Sequence, residues 1–221
     1  MLVERTVGGL HAHLIHIVNK LGVTANSHVL DIGCGSGAWL ARLQDNGLIH
    51  LVGIDQTLPR MVAGLDLRQA DINKPAVTRS GIFQLVTCIE VIEHVENVGH
   101  LLDLIKQSLA VDGVAIITTP NIESLRARTR ALLAGKIPSF DHKSDPTHLM
   151  PILHASLQKM LHRRDLRIVA VRQYPENPSA SLMFSARVNY MSRLLRAVLP
   201  DDLHGDNTIY LIKHLVKEKC C

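Results

Sequence analysis

Short runs of apolar residues alternate along the chain with segments in which apolar residues recur three or four positions apart. The apolar runs, such as Val29–Ile32 before a glycine and Leu51–Ile54 before an aspartate, predict strands that are buried on both faces. The segments between the runs predict helices with one apolar face. Seven predicted strands begin near Val29, Leu51, Leu67, Phe83, Val114, Leu166 and Thr208. Alternating strands and helices favour an α/β fold built on a parallel sheet.

The predicted helices and the absence of a linker in the sequence indicate one domain that spans residues 1–221. Outside the alternating core, helices are predicted at about 6–21, 122–134, 153–164 and 181–198. The last of these helices interleaves apolar residues with arginines. That pattern predicts a helix that packs on the core, rests on a membrane surface or covers an apolar substrate.

A glycine-rich loop follows the first predicted strand. Gly33, Gly35 and Gly37 allow the backbone to approach a ligand without interference from Cβ atoms. The helix predicted to begin at Ala38 would direct its free N–H groups and its positive dipole end to the same place. These features indicate a site for the polar part of a nucleotide-like cofactor. The spacing Gly33-x-Gly35-x-x-Ala38 is also compatible with a dinucleotide.

Polar residues follow the next predicted strands at the positions where a nucleoside would need them. Asp55 comes 22 residues after Gly33 and is suited to accept hydrogen bonds from ribose hydroxyls. Asp71 and Ile72 follow the third strand, where an acid can accept a hydrogen bond from an adenine amino group and an apolar neighbour can cover the ring. Because ligands bind at the carboxyl ends of parallel strands, these residues predict a single site.

Four motifs, in this order, resemble those of class I S-adenosylmethionine-dependent methyltransferases. They are Asp31-Ile-Gly-Cys-Gly-Ser-Gly37, Gly53-Ile-Asp55, Ala70-Asp-Ile72 and Glu90-Val-Ile-Glu-His94, and the similarity covers residues 25–175. The resemblance implies a Rossmann-like, seven-stranded, mostly parallel sheet with helices on both faces and an antiparallel last strand. It also implies a cofactor-binding core at about 25–120 and acceptor-side elements at about 121–221.

The resemblance implies S-adenosylmethionine as the cofactor and assigns a role to each motif. The implied cofactor-binding residues are Asp31, Gly33, Cys34, Gly35, Gly37, Asp55, Gln56, Asp71, Ile72 and Ile89. The first five would hold the methionine end, Asp55 would bind the ribose and Gln56 would lie beside it. Asp71 and Ile72 would frame the adenine, and Ile89 would line the wall near the sulfonium. A nicotinamide-dependent dehydrogenase uses a similar loop, but 221 residues leave no room for its usual second domain.

The motif Glu90-Val-Ile-Glu-His94 is the second informative segment. On a helix, Glu90, Glu93 and His94 would share one face, and their oxygen and nitrogen donors could bind Mg²⁺ or Mn²⁺. His148, 54 residues after His94, offers a further ligand. The pattern resembles the ubiquinone-biosynthesis O-methyltransferases, within methyltransferase types 11, 12 and 23. It also resembles the small-RNA 2′-O-methyltransferases, in which a Glu-x-x-Glu-His group and a later histidine bind a metal.

Three roles stay open for this group of residues. They are metal ligands, a metal-free general base supplied by His94 or His148, and a structural group whose acids complement a helix dipole. Methyl transfer from a sulfonium mainly requires an acceptor held in line, but a hydroxyl acceptor must also lose a proton. The sequence lacks the Asn/Asp-Pro-Pro-Tyr type of motif that is typical of enzymes that methylate nucleobase amino groups. An oxygen acceptor is therefore favoured.

The charge balance bears on the nature of the acceptor. Lys and Arg number 24 against 20 Asp and Glu, which gives a formal net charge of +4. Arg126, Arg128 and Arg130 follow the fifth strand, so the acceptor is predicted to be anionic, or these arginines form a solvated basic face. Aromatic residues make up 3% of the chain, which disfavours stacking of single-stranded nucleic acid. The segment Phe140–His148 resembles the acceptor-side loop of bacterial methyltransferases that act on cell-surface sugars.

Other features suggest a location and exclude some classes of protein. No apolar run approaches the length of about 20 residues that a membrane span requires, although peripheral membrane contact stays open. The first residues do not have the layout of a signal peptide, so a cytoplasmic location is expected. Cys34 and Cys88 fit a reducing compartment. Cys220-Cys221 offers a lipid attachment site or is an ordinary tail.

The sequence therefore predicts an S-adenosylmethionine-dependent O-methyltransferase that acts on a hydroxyl of a small molecule or glycan by in-line transfer. One alternative is a divalent-metal-dependent RNA 2′-O-methyltransferase. An alternative from another class is a catalytically silent, cofactor-binding scaffold subunit.

Overall fold

A seven-stranded sheet forms the centre of the molecule. The computed structural model describes residues 2–57, 62–74, 81–176, 185–196 and 204–215. The strands are β1 (His28–Ile32), β2 (His50–Asp55), β3 (Asp66–Gln69), β4 (Phe83–Ile89), β5 (Leu109–Pro120), β6 (Leu166–Tyr174) and β7 (Asn207–His214). Their spatial order is β3-β2-β1-β4-β5-β7-β6. The adjacent pairs from β3 to β5 are parallel, whereas β7 runs antiparallel to both β5 and β6. The predicted fold class is confirmed.

Helices cover both faces of this sheet. They are α1 (Leu10–Lys20), α2 (Ala38–Asp45), α3 (Val98–Ser108), α4 (Leu125–Ala134), α5 (His154–His162) and α6 (Ala186–Arg196), with a 3₁₀ turn at Ile92–His94. Leu14 of α1 and Leu40 of α2 are fully buried in one apolar cluster. Leu102 of α3 and Leu161 of α5 are fully buried in the cluster on the other face. Burial of these apolar faces stabilises the three-layered arrangement.

Two of the differences between predicted and observed boundaries have a local structural cause. Helix α1 begins at Leu10 rather than near residue 6, because Gly9 adopts a left-handed conformation (φ 85°) that precedes the first helical turn. Strand β5 begins at Leu109 rather than Val114, and a bulge opposite Phe83–Leu85 absorbs the extra residues. Of the helix predicted at 181–198, residues 181–184 and 197–198 lie outside the described residues, as does Cys220-Cys221.

The direction of the strands determines where the functional groups meet. Strands β1 to β5 are parallel, so their carboxyl ends form one edge, which we call the carboxyl edge. The glycine loop, Asp55, Asp71 and the Glu90–His94 motif all follow strands at this edge. Within the described ranges, no helix has the length and apolar character needed to cross a membrane.

Candidate active site

The glycine loop after β1 is fastened to the end of β2 by backbone hydrogen bonds. The amides of Gly33 and Cys34 donate to the carbonyl of Ile54 at 2.8 and 3.0 Å. Gly33 has a φ of 75°, and a Cβ added there would lie 2.4 Å from a methyl group of Val91. Left-handed conformation and close packing together explain why glycine is needed at this position.

Asp55 points back at this loop from the end of β2. Its Oδ2 accepts from the Gly35 amide at 2.9 Å, and its Oδ1 accepts from the Thr57 amide at 2.9 Å. Each carboxylate oxygen therefore has one fixed protein donor and keeps a lone pair for another. This is the geometry expected of a group that accepts hydrogen bonds from two ribose hydroxyls.

Asp31 is buried beneath the loop, with only 3% of its surface exposed. The hydroxyl of Thr87 donates to its Oδ1 at 2.7 Å, and the indole N–H of Trp39 donates to that hydroxyl at 3.2 Å. Burial raises the pKa of Asp31 to about 7, against the opposing effect of the Thr87 hydrogen bond and with an addition from the charge of Asp55. A cationic ligand group beside it would compensate this buried carboxyl group.

The remaining predicted cofactor residues also lie at the carboxyl edge. Asp71 accepts from the Asn73 amide at 3.0 Å, which lowers its carboxyl pKa together with the nearby Lys74. Ile72 is partly buried, Ile89 is buried and Gln56 is exposed. Cys34 is buried, and this burial raises the pKa of its thiol to about 12, so it contributes packing rather than a thiolate.

Glu90 departs from the arrangement that the sequence predicts. It has a left-handed backbone (φ 53°), and only a single 3₁₀ turn follows it, so the predicted helix face shared with Glu93 and His94 is wrong. Its carboxylate accepts from Thr118 Oγ1 at 2.8 Å and from Asn207 Nδ2 at 2.6 Å. Burial raises the pKa of Glu90 to about 7, partly offset by these two hydrogen bonds. Glu90 therefore links β4 to β5 and β7.

Glu93, His94 and His148 come together as a cluster. Each offers one donor atom, and these atoms lie within 4.8 Å of one another. The two imidazole rings are 4.6 Å apart and meet edge to face. The loop that carries His148 is held in place because the amides of Leu149 and Met150 donate to the carbonyl of Glu93 at 2.8 and 3.1 Å.

Backbone contacts define the tautomer of both histidines in the cluster. His94 Nδ1 lies 3.0 Å from the carbonyl of Thr147, and His148 Nδ1 lies 2.7 Å from the carbonyl of Ser139. A carbonyl only accepts, so each Nδ1 carries the proton and each Nε2 keeps its lone pair. The Thr147 hydroxyl donates to Asp145 at 2.6 Å, which supports this arrangement from the next layer. Histidines that bind metals are commonly oriented in this way.

Glu93 is the most deeply buried member of the cluster. It has no exposed surface, and neither carboxylate oxygen has a hydrogen-bond partner among the described residues. Burial, with a further contribution from Glu90, raises the pKa of Glu93 well above its usual range, against the opposing effect of its own backbone amide and of the Thr119 hydroxyl, which lie near the carboxyl group without hydrogen-bond geometry. Burial and the neighbouring His148 lower the pKa of His94. A bound cation would reverse the effect of burial on Glu93 and supply the charge that the cluster lacks.

Comparison with known families agrees with this geometry. A family model described as a methyltransferase domain matches residues 9–171, which is well over half of the chain. The chain belongs to this methyltransferase family.

Two curated relatives share the same name. The ubiquinone biosynthesis O-methyltransferase of Dechloromonas aromatica is 26% identical over 207 residues, which cover 83% of this chain and 88% of that protein. The protein of that name from Rickettsia typhi is 28% identical over 123 residues, half of each chain. The chain spans about half the length of the first curated relatives that it matches.

Solved structures support the fold of this methyltransferase domain. A SAM-dependent methyltransferase from Archaeoglobus fulgidus superimposes with a TM-score of 0.63 and 18% identity, covering 92% of each chain. At this level of identity, the likeness concerns the fold alone.

The methyltransferase family implies S-adenosylmethionine, and the residues present fit it. The loop offers glycine backbone for the polar methionine end, Asp31 offers a buried carboxyl group for an ammonium, and Asp55 offers paired acceptors for a ribose. Side chains that the sequence did not identify support these groups. Thr87 and Trp39 hold Asp31, and no local pattern marks them because they come from β4 and α2.

Several other polar side chains of the methyltransferase have structural roles. Asn121, after β5, donates to the carbonyl of His204 at 2.8 Å. Arg130 pairs with Asp141 at 2.5 Å, so this arginine of the predicted basic group is used internally. His11 packs against Trp39. Within the described ranges, Glu93, His94 and His148 are the only group of three histidine, cysteine or acidic residues placed closely enough to hold a metal ion.

Proposed function

We propose that the protein is an S-adenosylmethionine-dependent O-methyltransferase that acts on a hydroxyl group of a small molecule. The Glu93–His94–His148 cluster carries this proposal, because it places two imidazoles with free Nε2 lone pairs at the carboxyl edge. Val91, two residues before Glu93, packs against the backbone of Gly33. The cluster and the glycine loop are therefore neighbours, as methyl donor and acceptor must be.

The cofactor supplies a methyl group that is already activated on a sulfonium. The protein has to hold the donor, align the acceptor hydroxyl with the methyl–sulfur bond and remove the hydroxyl proton. Asp31 and the loop would hold the methionine end, and Asp55 the ribose. A neutral imidazole Nε2 of His94 or His148 is suited to accept the proton. A phenol, with a pKa of about 10, is within reach of such a base.

We further propose that the cluster binds a divalent cation, Mg²⁺ or Mn²⁺. Glu93 would supply an oxygen ligand, and His94 and His148 would supply nitrogen ligands, whereas Glu90 is committed to Thr118 and Asn207. Support comes from the unpartnered buried carboxylate of Glu93 and from the carbonyl contacts of both histidines. A cation bound here would occupy both Nε2 lone pairs, so it would take the place of the imidazole base and promote loss of the proton by lowering the pKa of the acceptor hydroxyl.

The surroundings of the cluster favour an acceptor with an apolar part. Leu149, Met150 and Leu153 lie within five residues after His148 in the chain, and 55%, 41% and 48% of their surfaces are exposed. Burial of such side chains by a ligand is favourable in water. Relatives of this chain are named for ubiquinone biosynthesis, which fits a hydroxylated ring with an apolar substituent. A phosphorylated sugar or RNA would leave these side chains exposed.

Mass spectrometry of methyl transfer from S-adenosylmethionine tests the proposal. The purified protein is incubated with an alkyl-substituted catechol, a phosphorylated sugar or a short RNA, each with Mg²⁺, Mn²⁺ or a chelator. We expect a methyl ether of the catechol that is lost in chelator. A product on RNA alone would support the 2′-O-methyltransferase alternative instead. Calorimetric binding of the cofactor without product on any acceptor would support a silent scaffold.

A further inference from the structure

The segment before α1 is bonded directly to the glycine loop. The amide of Val3 donates to Ser36 Oγ at 3.0 Å, and the Ser36 hydroxyl donates to the carbonyl of Val3 at 3.0 Å. Ser36 lies between Gly35 and Gly37, inside the loop that forms the cofactor site. A conformational change of the loop would therefore break contacts with residues that are 33 positions away in sequence.

Glu4 adds a second connection beside the first. Its carboxylate accepts a hydrogen bond from the Arg42 guanidinium of α2 and lies 3.5 Å from His11 Nδ1 of α1. Helix α2 continues from the glycine loop without a break, since the amide of Ala41 donates to the carbonyl of Gly37. Glu4 therefore connects Arg42, in the last turn of the helix that follows the loop, to His11 of α1.

The other end of the segment is held at the far side of the sheet. The hydroxyl of Tyr174, at the end of β6, donates to the carbonyl of Gly8 at 2.8 Å. Residues 2–5 have no regular structure, and residues 6–9 turn into α1, where the amide of Leu10 donates to the carbonyl of Val7 at 3.0 Å. The segment is therefore held at both ends, by Ser36 near its start and by Tyr174 near its end.

We propose that residues 2–9 form a strap that holds the glycine loop in its cofactor-binding conformation, with Glu4 as the positioning residue. Glu4 acts through Arg42 and His11 and does not itself contact the cofactor. The strap proposal rests on the proposed cofactor, because the loop must bind S-adenosylmethionine for the strap to retain it. Its expected effect is slow release of the cofactor and of its demethylated product.

The chain contains its own reporter for this test. Trp39 is the only tryptophan of the sequence, is buried, and lies with its ring centre 5.4 Å from that of His11. The indole N–H of Trp39 donates to the Thr87 hydroxyl, which in turn donates to Asp31 in the site. Tryptophan fluorescence is therefore placed to respond to a ligand in the glycine loop without any label.

The experiment measures dissociation of S-adenosylhomocysteine by stopped-flow tryptophan fluorescence, with Glu4→Ala, Arg42→Ala and the double variant. We expect each single variant to release the ligand about three- to fivefold faster. The double variant should be no faster than either single one, because both remove the same contact. Tyr174→Phe, which loses only the hydroxyl that holds Gly8, should accelerate release by about two- to threefold.

Asp103→Ala serves as the matched control. It breaks a comparable pair with Arg164, at 2.8 Å, between α3 and the turn after α5, and should leave release unchanged. Thermal unfolding separates the two roles, because a merely structural Glu4 would lower the midpoint without a change in release. Equal release rates in the wild type and the Glu4 and Arg42 variants would overturn the strap. Failure of the wild type to bind S-adenosylmethionine or its product would overturn the proposed cofactor, and the strap proposal with it.

Discussion

The glycine loop and the Glu93–His94–His148 cluster lie at the same edge of the sheet, but they are held in different ways. In the loop, every polar group named above has a partner within the protein: Gly33 and Gly35 donate to β2, and Asp31 accepts from Thr87. In the cluster, the carboxylate of Glu93 is fully buried and has no hydrogen-bond partner among the described residues.

The glycine loop is therefore a preorganised binding site, whereas the cluster lacks a hydrogen-bond partner that a ligand could supply. Partnered groups in the loop need no rearrangement when a cofactor binds. A fully buried carboxyl group without a hydrogen-bond partner, by contrast, is costly unless it takes part in chemistry or binds a cation. We therefore expect substitutions in the loop to change affinity and substitutions in the cluster to change turnover.

The largest effect is expected from His148→Ala. Loss of a proton acceptor or metal ligand should reduce turnover by about 10²- to 10⁴-fold, as for other acid–base residues. Affinity for S-adenosylmethionine, measured by calorimetry, should stay within about twofold, because His148 contacts Ser139 and His94 rather than the glycine loop.

His142→Ala is the matched control, since it removes an exposed histidine of the same loop that lies outside the cluster. Normal turnover in His148→Ala would remove this residue from the site. Equal losses in both variants would indicate a general disturbance of the loop instead.

Gly33→Ala should have the largest effect on the cofactor side. An alanine here would have to adopt a φ of 75°, and its Cβ would lie 2.4 Å from a Val91 methyl group. The loop or Val91 therefore has to move. We expect S-adenosylmethionine binding to weaken by about 2–4 kcal/mol. Calorimetric titration measures this directly.

Gly22→Ala controls for backbone strain alone. Gly22 has a φ of 74°, but a Cβ there would meet nothing within 4 Å. This variant should lose about 1 kcal/mol of stability and no cofactor affinity. A similar loss of affinity in both variants would show that close packing at Gly33 is unimportant.

Asp55→Ala should weaken cofactor binding by about 1–3 kcal/mol, because ribose hydroxyls would lose their acceptor and Gly35 would lose its partner. Calorimetry provides the affinity. Asp66→Ala, which removes an exposed carboxylate near the start of β3, should bind as the wild type does. Unchanged affinity in Asp55→Ala would disprove the ribose assignment.

The two regions also differ in how far the sequence predicts them. The cofactor residues lie at or just after the carboxyl ends of successive strands, and the glycines mark the loop, so strand order and local pattern suffice to place Asp31, Asp55 and Asp71 together. The grouping of Glu93 and His94 with His148 agrees with the prediction. This prediction rests on a family resemblance, because no local pattern indicates that His148, 54 residues after His94, folds back onto the 3₁₀ turn.

The position of Glu90 shows what local pattern cannot supply. A left-handed conformation is unusual for a glutamate, so helix periodicity does not predict that the backbone turns at Glu90. The hydrogen bonds that hold it come from Thr118 and from Asn207, 117 positions away in the chain. Thr147 and Asp145 were likewise missed, because their support of His94 exists only in the folded loop.

The smallest effect is expected from Glu90→Gln, which tests whether Glu90 only links strands or belongs to the cluster. The pKa of Glu90 is raised to about 7 in the folded protein, above the usual value near 4.5 for the unfolded chain. Between these values the folded state binds more protons than the unfolded state, so the free energy of unfolding falls as pH rises. Glutamine does not titrate. The stability of the wild type relative to Glu90→Gln should therefore decline by about 1–2 kcal/mol between pH 5.5 and 7.

Urea unfolding at several pH values measures this change, and turnover provides the second readout. If Glu90 only links β4 to β5 and β7, Glu90→Gln should retain turnover while Glu93→Gln loses it, although both substitutions remove one buried carboxyl group. A stability difference that is independent of pH would contradict the raised pKa. Loss of turnover in Glu90→Gln with unchanged stability would assign Glu90 to the cluster. The presence or absence of hydrogen-bond partners would then no longer distinguish a structural acid, Glu90, from a catalytic one, Glu93.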